Sequence, residues 1–222
     1  MKLIKLCLAL FALCLAAGCA TTGDSNRLNA FHDAAPRSIL VLPPVNETTD
    51  VQGTTSVLAT LPYYLGEKGY YVFPVNTVKT LLEYEGYYEP AEAHAAPPEQ
   101  LANLFKADAI LYVIIHEWTS KYMLLSTTTE VDFEYRIVNA DGAELWIARQ
   151  RMTYTPDNNS SGSPLFDLIS MAVTAALERA DPNYLPLTRQ ANASAFNGAN
   201  GIPPGPYSPV YDQYYKQLNS AQ

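Results

Sequence analysis

Three histidines are the residues of this sequence best suited to transfer protons near neutral pH, since imidazole is the side chain that titrates there without help. His116 is followed by Glu117, but no second histidine stands where a zinc-protease motif requires one. The chain also contains no Gly-x-Ser-x-Gly elbow, no Ser-x-x-Lys pair and no Gly-x-x-x-x-Gly-Lys loop. The sequence therefore predicts no catalytic residue, no metal site and no cofactor. His116 is interpreted as a hydrogen-bonded side chain within a strand.

The thiol of Cys19 is the other group with a chemical role, and its context specifies that role. A basic start and an apolar run over residues 6–17 fit a signal peptide, because the run is shorter than the roughly 20 residues that span a bilayer. The run ends in Leu15-Ala16-Ala17-Gly18-Cys19, which resembles the bacterial lipobox with its leucine one place early. This motif predicts cleavage before Cys19 and its lipidation, with palmitate among the acyl chains. The following Ala20 favours sorting to the outer membrane.

The predicted processing divides the chain into parts of different composition. We expect a signal peptide (1–18), a lipidated flexible tether (19–36), an α/β globular domain (37–184) and a tail rich in proline, glycine and asparagine (185–222). The 48% hydrophobic content is enough to build a packed core. The net charge of -8 argues against a nucleic-acid partner, because such partners require a basic surface.

Hydrophobic periodicity predicts alternating strands and helices in the globular domain. Buried strands are expected at 38–42, 70–73 and 109–118, and amphipathic helices at 54–68, 76–86, 98–106 and 163–181. Pro62 predicts a kink or a break in the first helix. A hairpin follows the third strand, so the element order is β-α-β-α-α-β-β-β-α. That order predicts a single α/β domain built on a mixed sheet.

Charged residues constrain the register of the hairpin, whose turn is Asn139-Ala140-Asp141-Gly142. Two registers are compatible with this turn, and they differ in the acid that faces Arg149, which is Asp132 in one and Glu134 in the other. Either register sets acids opposite arginines, so we interpret this face as solvated sheet surface rather than as a catalytic carboxylate pair. Trp146 is expected on the inner face of the hairpin.

Sixteen tyrosines are an excess for this chain, and many fall at predicted helix ends and loops. Tyr211, Tyr214 and Tyr215 share one helical face near the C terminus, because they are spaced i, i+3, i+4. Tyrosine is enriched at protein interfaces, so these three are the candidate partner contact, on another protein or on a groove of this domain. Residues 190–209 are poor in large apolar side chains, and the tail is expected to add little to stability.

Four segments carry a resemblance to a known family. They are Ile39-Leu40-Val41-Leu42-Pro43-Pro44, Leu65-Gly66-Glu67-Lys68-Gly69-Tyr70-Tyr71-Val72-Phe73-Pro74, Lys106-Ala107-Asp108-Ala109-Ile110-Leu111-Tyr112 and the hairpin from Asn139 to Trp146. Through them the chain resembles an uncharacterised family of outer-membrane lipoproteins known from neisserial surface antigens. The order of elements also resembles the N-terminal domain of TolB, the curli secretion lipoprotein CsgG and the activator lipoproteins of penicillin-binding proteins.

The resemblance implies a non-enzymatic role, because proteins of this fold serve as docking, pore-forming or activating modules. We therefore expect an outer-membrane lipoprotein, held by Cys19 on the periplasmic face or the cell surface, that contacts other envelope or export proteins. Self-association into a homo-oligomer is left open. The alternatives are a subunit of a CsgG-type export pore and, less favoured, a small periplasmic hydrolase.

Overall fold

The computed structural model describes residues 27–122, 127–154 and 184–220 of the 222-residue chain. Within these ranges the strands are β1 (Ser38–Val41), β2 (Val45–Asn46), β3 (Tyr71–Val72), β4 (Ala109–Tyr122), β5 (Thr127–Asn139) and β6 (Glu144–Tyr154). The helices are α1 (Asn29–Ala34), α2 (Val51–Glu67), α3 (Val75–Tyr84), α4 (Pro90–Ala95), α5 (Pro98–Phe105), α6 (Leu185–Asn197) and α7 (Tyr211–Ser220). The predicted signal peptide, Cys19 and the predicted helix at 163–181 lie outside the described residues.

The six strands form one mixed sheet in the order β3-β1-β4-β5-β6, with β2 also paired to β4. Strands β1 and β2 run parallel to β4 and follow one another along the same edge of it. Pro43 and Pro44 separate the two, since proline has no N–H to donate to the ladder. Strands β4, β5 and β6 are antiparallel and long. The prediction of a single α/β domain on a mixed sheet is confirmed.

Alternation along β5 defines the two faces of the sheet. Val131, Phe133, Tyr135 and Ile137 point to what we call the inner face, where α1, α2 and α6 enclose the larger core. The intervening residues of β5 point to the outer face. Among the described helices, α3, α4 and α5 lie on this face at one end of the sheet, and they form a smaller core with the end of β5 at Val138.

The hairpin adopts the register in which Glu134 lies opposite Arg149. The turn itself is displaced by one residue, because the register shifts between Ile137 and Val138. Gly142 takes a φ of 82°, a conformation that side chains with a Cβ rarely adopt. The prediction of acids opposite arginines is confirmed, and Trp146 lies on the inner face directly opposite Ile137, as expected.

Helix α2 shows how local sequence signals set an element. The Asp50 side chain accepts hydrogen bonds from the N–H groups of Gln52 and Gly53 at 2.9 and 3.0 Å, which caps the helix N terminus. The helix continues past Pro62, so the break predicted there as an alternative to a kink does not occur. Gly69 follows its C terminus with a φ of 87°, as expected for a residue that ends a helix.

The predicted tether is partly wrong, because residues 29–34 form α1 and belong to the folded domain. The ring of Phe31 is 1% exposed and packs edge-on against Tyr70 at 6.1 Å between ring centroids. Burial of this ring stabilises the short helix against the larger core. The sequence signal was weak because a single apolar residue produces no periodicity.

The predicted tail is also wrong in its first half, because residues 185–197 form α6 on the inner face. Leu187, Ala191, Ala195 and Phe196 are almost completely buried. Leu187, Ala191 and Ala195 are spaced four residues apart, which is helical, but two of the four buried residues are alanines, which contribute little hydrophobicity. The composition therefore understated the packing, since alanine allows a helix to approach a sheet closely without adding apolar area.

The segment after α6 is fastened to the turn between α2 and β3. The N–H of Gly205 donates to the carbonyl of Lys68 at 2.7 Å, and the N–H of Tyr207 donates to that of Gly69 at 3.0 Å. A Cβ on Gly69 would lie 2.2 Å from the backbone nitrogen of Ser208, and one on Gly205 would lie 2.4 Å from the carbonyl oxygen of Gly69. The two backbones approach this closely only because both glycines lack side chains.

Candidate functional site

The anchor residue predicted from the sequence, Cys19, lies outside the described residues, and its lipidation remains a prediction. No helix in the described ranges 27–122, 127–154 and 184–220 is long and apolar enough to cross a membrane. The first described residue, Arg27, follows Cys19 by only a short stretch and leads directly into α1. The folded domain therefore begins close to the predicted attachment point.

The part of the outer face that no described helix covers carries a row of charged side chains that we call the charged row: Glu47, His116, Asp132, Glu134, Arg149 and Arg151. His116 occupies a register shift between β4 and β5, where one extra residue is inserted in β4. Its Nδ1 lies 2.7 Å from an oxygen of Glu47, and its Nε2 lies 3.2 Å from an oxygen of Glu134. The hydrogen bond to Glu47, assisted by that to Glu134, raises the pKa of His116 above 6.5.

Asp132 holds the other half of the charged row together. Its carboxylate accepts hydrogen bonds from Arg149 at 2.8 and 2.9 Å and from Arg151 at 3.0 and 2.6 Å. The Asp132 side chain is 3% exposed, while the side chains of Arg149 and Arg151 are 52% and 72% exposed. The two arginine side chains therefore lie between the Asp132 carboxylate and the solvent. These bonds, with that from Arg149 the largest contribution, lower the pKa of Asp132 to about 2.

The charged row has the chemistry of a paired surface rather than that of an active site. Both nitrogens of His116 face carboxylates, so no hydroxyl or thiol is positioned for His116 to activate. Glu47 and Glu134 bind opposite sides of the ring and do not converge, and no group of residues in the described part of the chain could hold a metal ion. The interpretation of His116 as a hydrogen-bonded strand residue is confirmed.

The remaining histidines are held by aromatic neighbours. His94 lies 5.1 Å from the ring of Tyr112, and its Nε2 is 3.0 Å from the carbonyl oxygen of Pro43. Burial lowers the pKa of His94 to about 4. The ring of His32 packs beside those of Tyr214 and Tyr215, and burial lowers the pKa of His32 as well. Neither imidazole is arranged to act on a substrate, because each packs within the domain.

The three tyrosines predicted as a partner contact are brought together on α7 and face the protein's own α1. Tyr211 and Tyr215 lie 4.5 Å apart, and the rings of Tyr214 and Tyr215 lie 5.8 and 5.5 Å from that of His32. Burial raises the pKa of Tyr215 to about 12. Of the two sites that the sequence left open, a groove of this domain is the one occupied in the structure. Contact of these tyrosines with another protein remains a prediction.

A different set of tyrosines is far more exposed. The turn between α3 and α4, which we call the aromatic corner, carries Tyr84 and Tyr88, with 84% and 72% of their surfaces exposed. Gly86 shapes this turn with a φ of 95°. The Glu92 side chain then fixes it by accepting hydrogen bonds from the N–H groups of Tyr88 and Glu89 at 2.9 and 3.1 Å. The sequence placed both tyrosines at helix ends but could not distinguish them from those that pack internally.

The fold and these surfaces define a class: an α/β domain on a mixed sheet, without a recognisable catalytic centre in its described part. Comparison with known proteins identifies the family. The sequence family described as "Putative lipoprotein GNA1162-like" matches residues 27–207. The chain belongs to this GNA1162-like lipoprotein family, and the resemblance stated from the sequence is confirmed.

Individual relatives agree with this assignment. The chain is 37% identical over 180 residues to lipoprotein NMB1124/NMB1162 of Neisseria meningitidis serogroup B, covering 80% of this chain and 83% of that protein. It also matches the crystal structure of lipoprotein GNA1162 from Neisseria meningitidis with a TM-score of 0.52 and 36% identity, over 67% of this chain and all of that one. A PelC dodecamer from Paraburkholderia phytofirmans matches with 18% identity over 68% of this chain and 87% of that one, but its TM-score of 0.38 is too low to carry an argument.

Proposed function

We propose that the protein is anchored in the outer membrane through lipidated Cys19 and acts without catalysis, as an interaction module for other proteins of cell-envelope assembly or export. Membership of a lipoprotein family supports a membrane-anchored place in the envelope. The observation that carries the proposal is the aromatic corner, where two large aromatic side chains are exposed on an ordered turn.

Exposure of this degree is unfavourable for an isolated domain, because tyrosine rings gain free energy when their apolar surface leaves water. The aromatic corner is also ordered in advance, since the backbone bonds to Glu92 hold Tyr88 in position. A preordered aromatic surface loses little conformational entropy on binding, which is the property of residues that dominate protein interfaces. Tyr84 and Tyr88 are therefore the residues that we assign to partner contact.

The charged row supports the absence of catalysis. Every acid in it is hydrogen-bonded to a base, and His116 is saturated by two carboxylates. A hydrolase would need an unoccupied base next to a nucleophile. The arrangement instead pairs opposite charges across neighbouring strands, on a face of the sheet that no described helix covers.

In-cell photo-crosslinking tests the contact. A photoreactive residue in place of Tyr84 or Tyr88 should give a discrete crosslinked species in intact cells, identifiable by mass spectrometry. The same residue in place of Tyr63 is the matched control, because Tyr63 is 63% exposed but lies on α2. Equal crosslinking from all three positions, or from none, would show that the aromatic corner is not a specific contact.

The anchor is tested separately. Cys19→Ala should leave an uncleaved precursor that incorporates no labelled fatty acid, because the sulfur that receives the lipid is absent. Cys7→Ala, within the predicted signal peptide, is the control and should be processed normally. Normal processing and membrane retention of the Cys19 variant would disprove lipid anchoring.

A further inference from the structure

The β6 edge of the sheet, which α1 contacts, contains a polar groove of about 300 Å³. It lies between β6 and the end of α6, and we call it the cationic groove. Its described lining includes Arg27 before α1, Arg149 and Gln150 of β6, Ser194 of α6 and Asn200 after it. None of the described lining residues is acidic, although the chain as a whole carries a net charge of -8.

The position of the cationic groove is fixed by the chain that leads to the anchor. Only eight residue steps separate Cys19 from Arg27. An extended chain spans at most about 3.5 Å per residue, so Arg27 stays within about 28 Å of the lipidated residue. A domain of about 200 residues is roughly 40 Å across. The predicted tether is therefore too short for the opposite side of the domain to reach the membrane, and the side that bears Arg27 faces it.

From this geometry we propose that the cationic groove binds the phosphate headgroup of an anionic phospholipid in the leaflet that holds the anchor. Arg27 is exposed and lines the groove, and its guanidinium supplies the charge. The guanidinium of Arg149 is largely committed to Asp132 and adds only its remaining N–H groups. The side chains of Ser194, Gln150 and Asn200 add uncharged donors for phosphate and glycerol oxygens.

This binding would orient the domain on the membrane. The aromatic corner shares no residue with the cationic groove, so a protein partner and a lipid headgroup do not compete for the same side chains. The inference rests on the proposed anchor for its geometry. Its test uses protein without the anchor, so that the two proposals fail independently.

The experiment measures sedimentation of the mature chain carrying Cys19→Ala with lipid vesicles. We expect it to bind vesicles of phosphatidylcholine mixed with phosphatidylglycerol, and not vesicles of phosphatidylcholine alone. Arg27→Ala should lower the partition coefficient about fivefold, since one arginine near an anionic surface contributes about that factor. Arg189→Ala is the matched control, because it removes the same charge from a surface lined by Tyr63 and Tyr64. It should leave binding unchanged.

The other outcomes overturn the proposal. An equal loss in both arginine variants would indicate general electrostatic attraction, and no loss in either would exclude the groove. Binding of inorganic phosphate to a protein that does not bind either kind of vesicle would assign the site to a soluble anion. As a second measurement, the lipidated protein reconstituted in the mixed vesicles should show slower hydrogen exchange at residues 194–200 than in phosphatidylcholine. Equal exchange in the two lipids would also contradict the proposal.

Discussion

The two faces of the sheet are built from alternate residues of the same strands, yet they differ in almost every physical respect. The inner face is enclosed by helices and continues into the C-terminal segment through Phe196, whose ring stacks on that of Trp146 at 5.4 Å. Among the described residues, the outer face beyond α3–α5 carries the charged row, where Asp132 bridges two exposed arginines. On one face the free energy comes from apolar burial, and on the other from charge pairing.

A buried polar bridge makes the inner face more than an apolar contact. The hydroxyl of Tyr135 donates to the side-chain oxygen of Asn192 at 2.9 Å, and the amide of Asn192 donates to Thr60 at 2.9 Å. This chain links β5, α6 and α2, and all three residues are buried. Because an unpaired buried amide is costly, the bridge fixes the position of α6 as well as its presence. The inner face should therefore respond strongly to mutation and the outer face weakly.

The largest expected effect is that of removing the C-terminal segment. A chain truncated after Tyr184 loses α6, which exposes the inner core and leaves Tyr135 without its partner. The cost should be on the order of 10 kcal/mol, comparable to the whole stability of an ordinary domain. Thermal unfolding monitored by circular dichroism should therefore show no cooperative transition.

Truncation after Val210 is the matched control for this prediction. It removes α7 and the two residues after it. No side chain of α7 is more than partly buried, so the truncation should cost about 1–2 kcal/mol through the lost contacts to His32. A normal melting temperature after truncation at Tyr184 would mean that α6 is dispensable. The domain boundary at residue 184 predicted from the sequence would then be correct.

The next effect concerns Trp146, which is 4% exposed and donates its indole N–H to the carbonyl of Asn200 at 2.8 Å. Trp146→Ala should cost about 3–5 kcal/mol, since it opens a cavity beside Phe196 and removes this hydrogen bond. Its neighbour Ile147 points to the outer face with 40% of its surface exposed, so Ile147→Ala should cost less than about 1 kcal/mol. Similar costs in denaturant titrations would show that the two faces do not differ as described.

The outer-face charge pairs could be predicted from the sequence, whereas the packing of α6 on the inner face could not. Strand alternation, the turn at Asn139-Ala140-Asp141-Gly142 and the acid–arginine pairing were visible because each depends on neighbours close in sequence or on a period of two. The packing of α6 was not visible, because the Tyr135–Asn192 hydrogen bond joins residues 57 positions apart. Nothing in the local composition of residues 185–197 marks Asn192 as a core residue.

The candidate site shows the same limit. Cys19 could be predicted because a lipobox is a local motif. Predicting the charged row would have required the relative alignment of β4, β5, β6 and the residue that follows β2. Even with the correct register, strand pairing sets Arg149 opposite Glu134, while its guanidinium reaches diagonally to Asp132. Likewise, the number of tyrosines is evident from the sequence, but their burial is not: Tyr84 is exposed, whereas Tyr135 is buried.

A smaller effect on the outer face should appear at acidic pH. The pKa of Asp132 is lowered to about 2 in the folded state, from about 3.9 in the unfolded chain, so its contribution to stability is present above pH 4 and is lost as the pH falls towards 2. Because both arginines are solvent-exposed, we expect about 1 kcal/mol. Asp132→Asn should flatten the dependence of unfolding free energy on pH in this window. Asp141→Asn, in the exposed turn, should not, and a flattening in both variants would refute the assignment.

The smallest expected effect distinguishes the two halves of the charged row by its sign. The pKa of His116 is raised by its carboxylate neighbours, so its stabilising contribution is fully present below about pH 6.5 and declines as the pH rises through the folded-state pKa. Since Glu47 is 53% exposed, the contribution should be a few tenths of a kcal/mol. His116→Gln should remove this decline and leave unchanged the loss of stability below pH 4 that is caused by protonation of Asp132.

His94 is the control, because burial lowers its pKa to about 4. Its contribution to stability therefore has the opposite pH dependence and is lost as the pH falls below 6.5. The decline above pH 6.5 should therefore persist in His94→Gln, and its disappearance there would mean that His116 is not the group responsible.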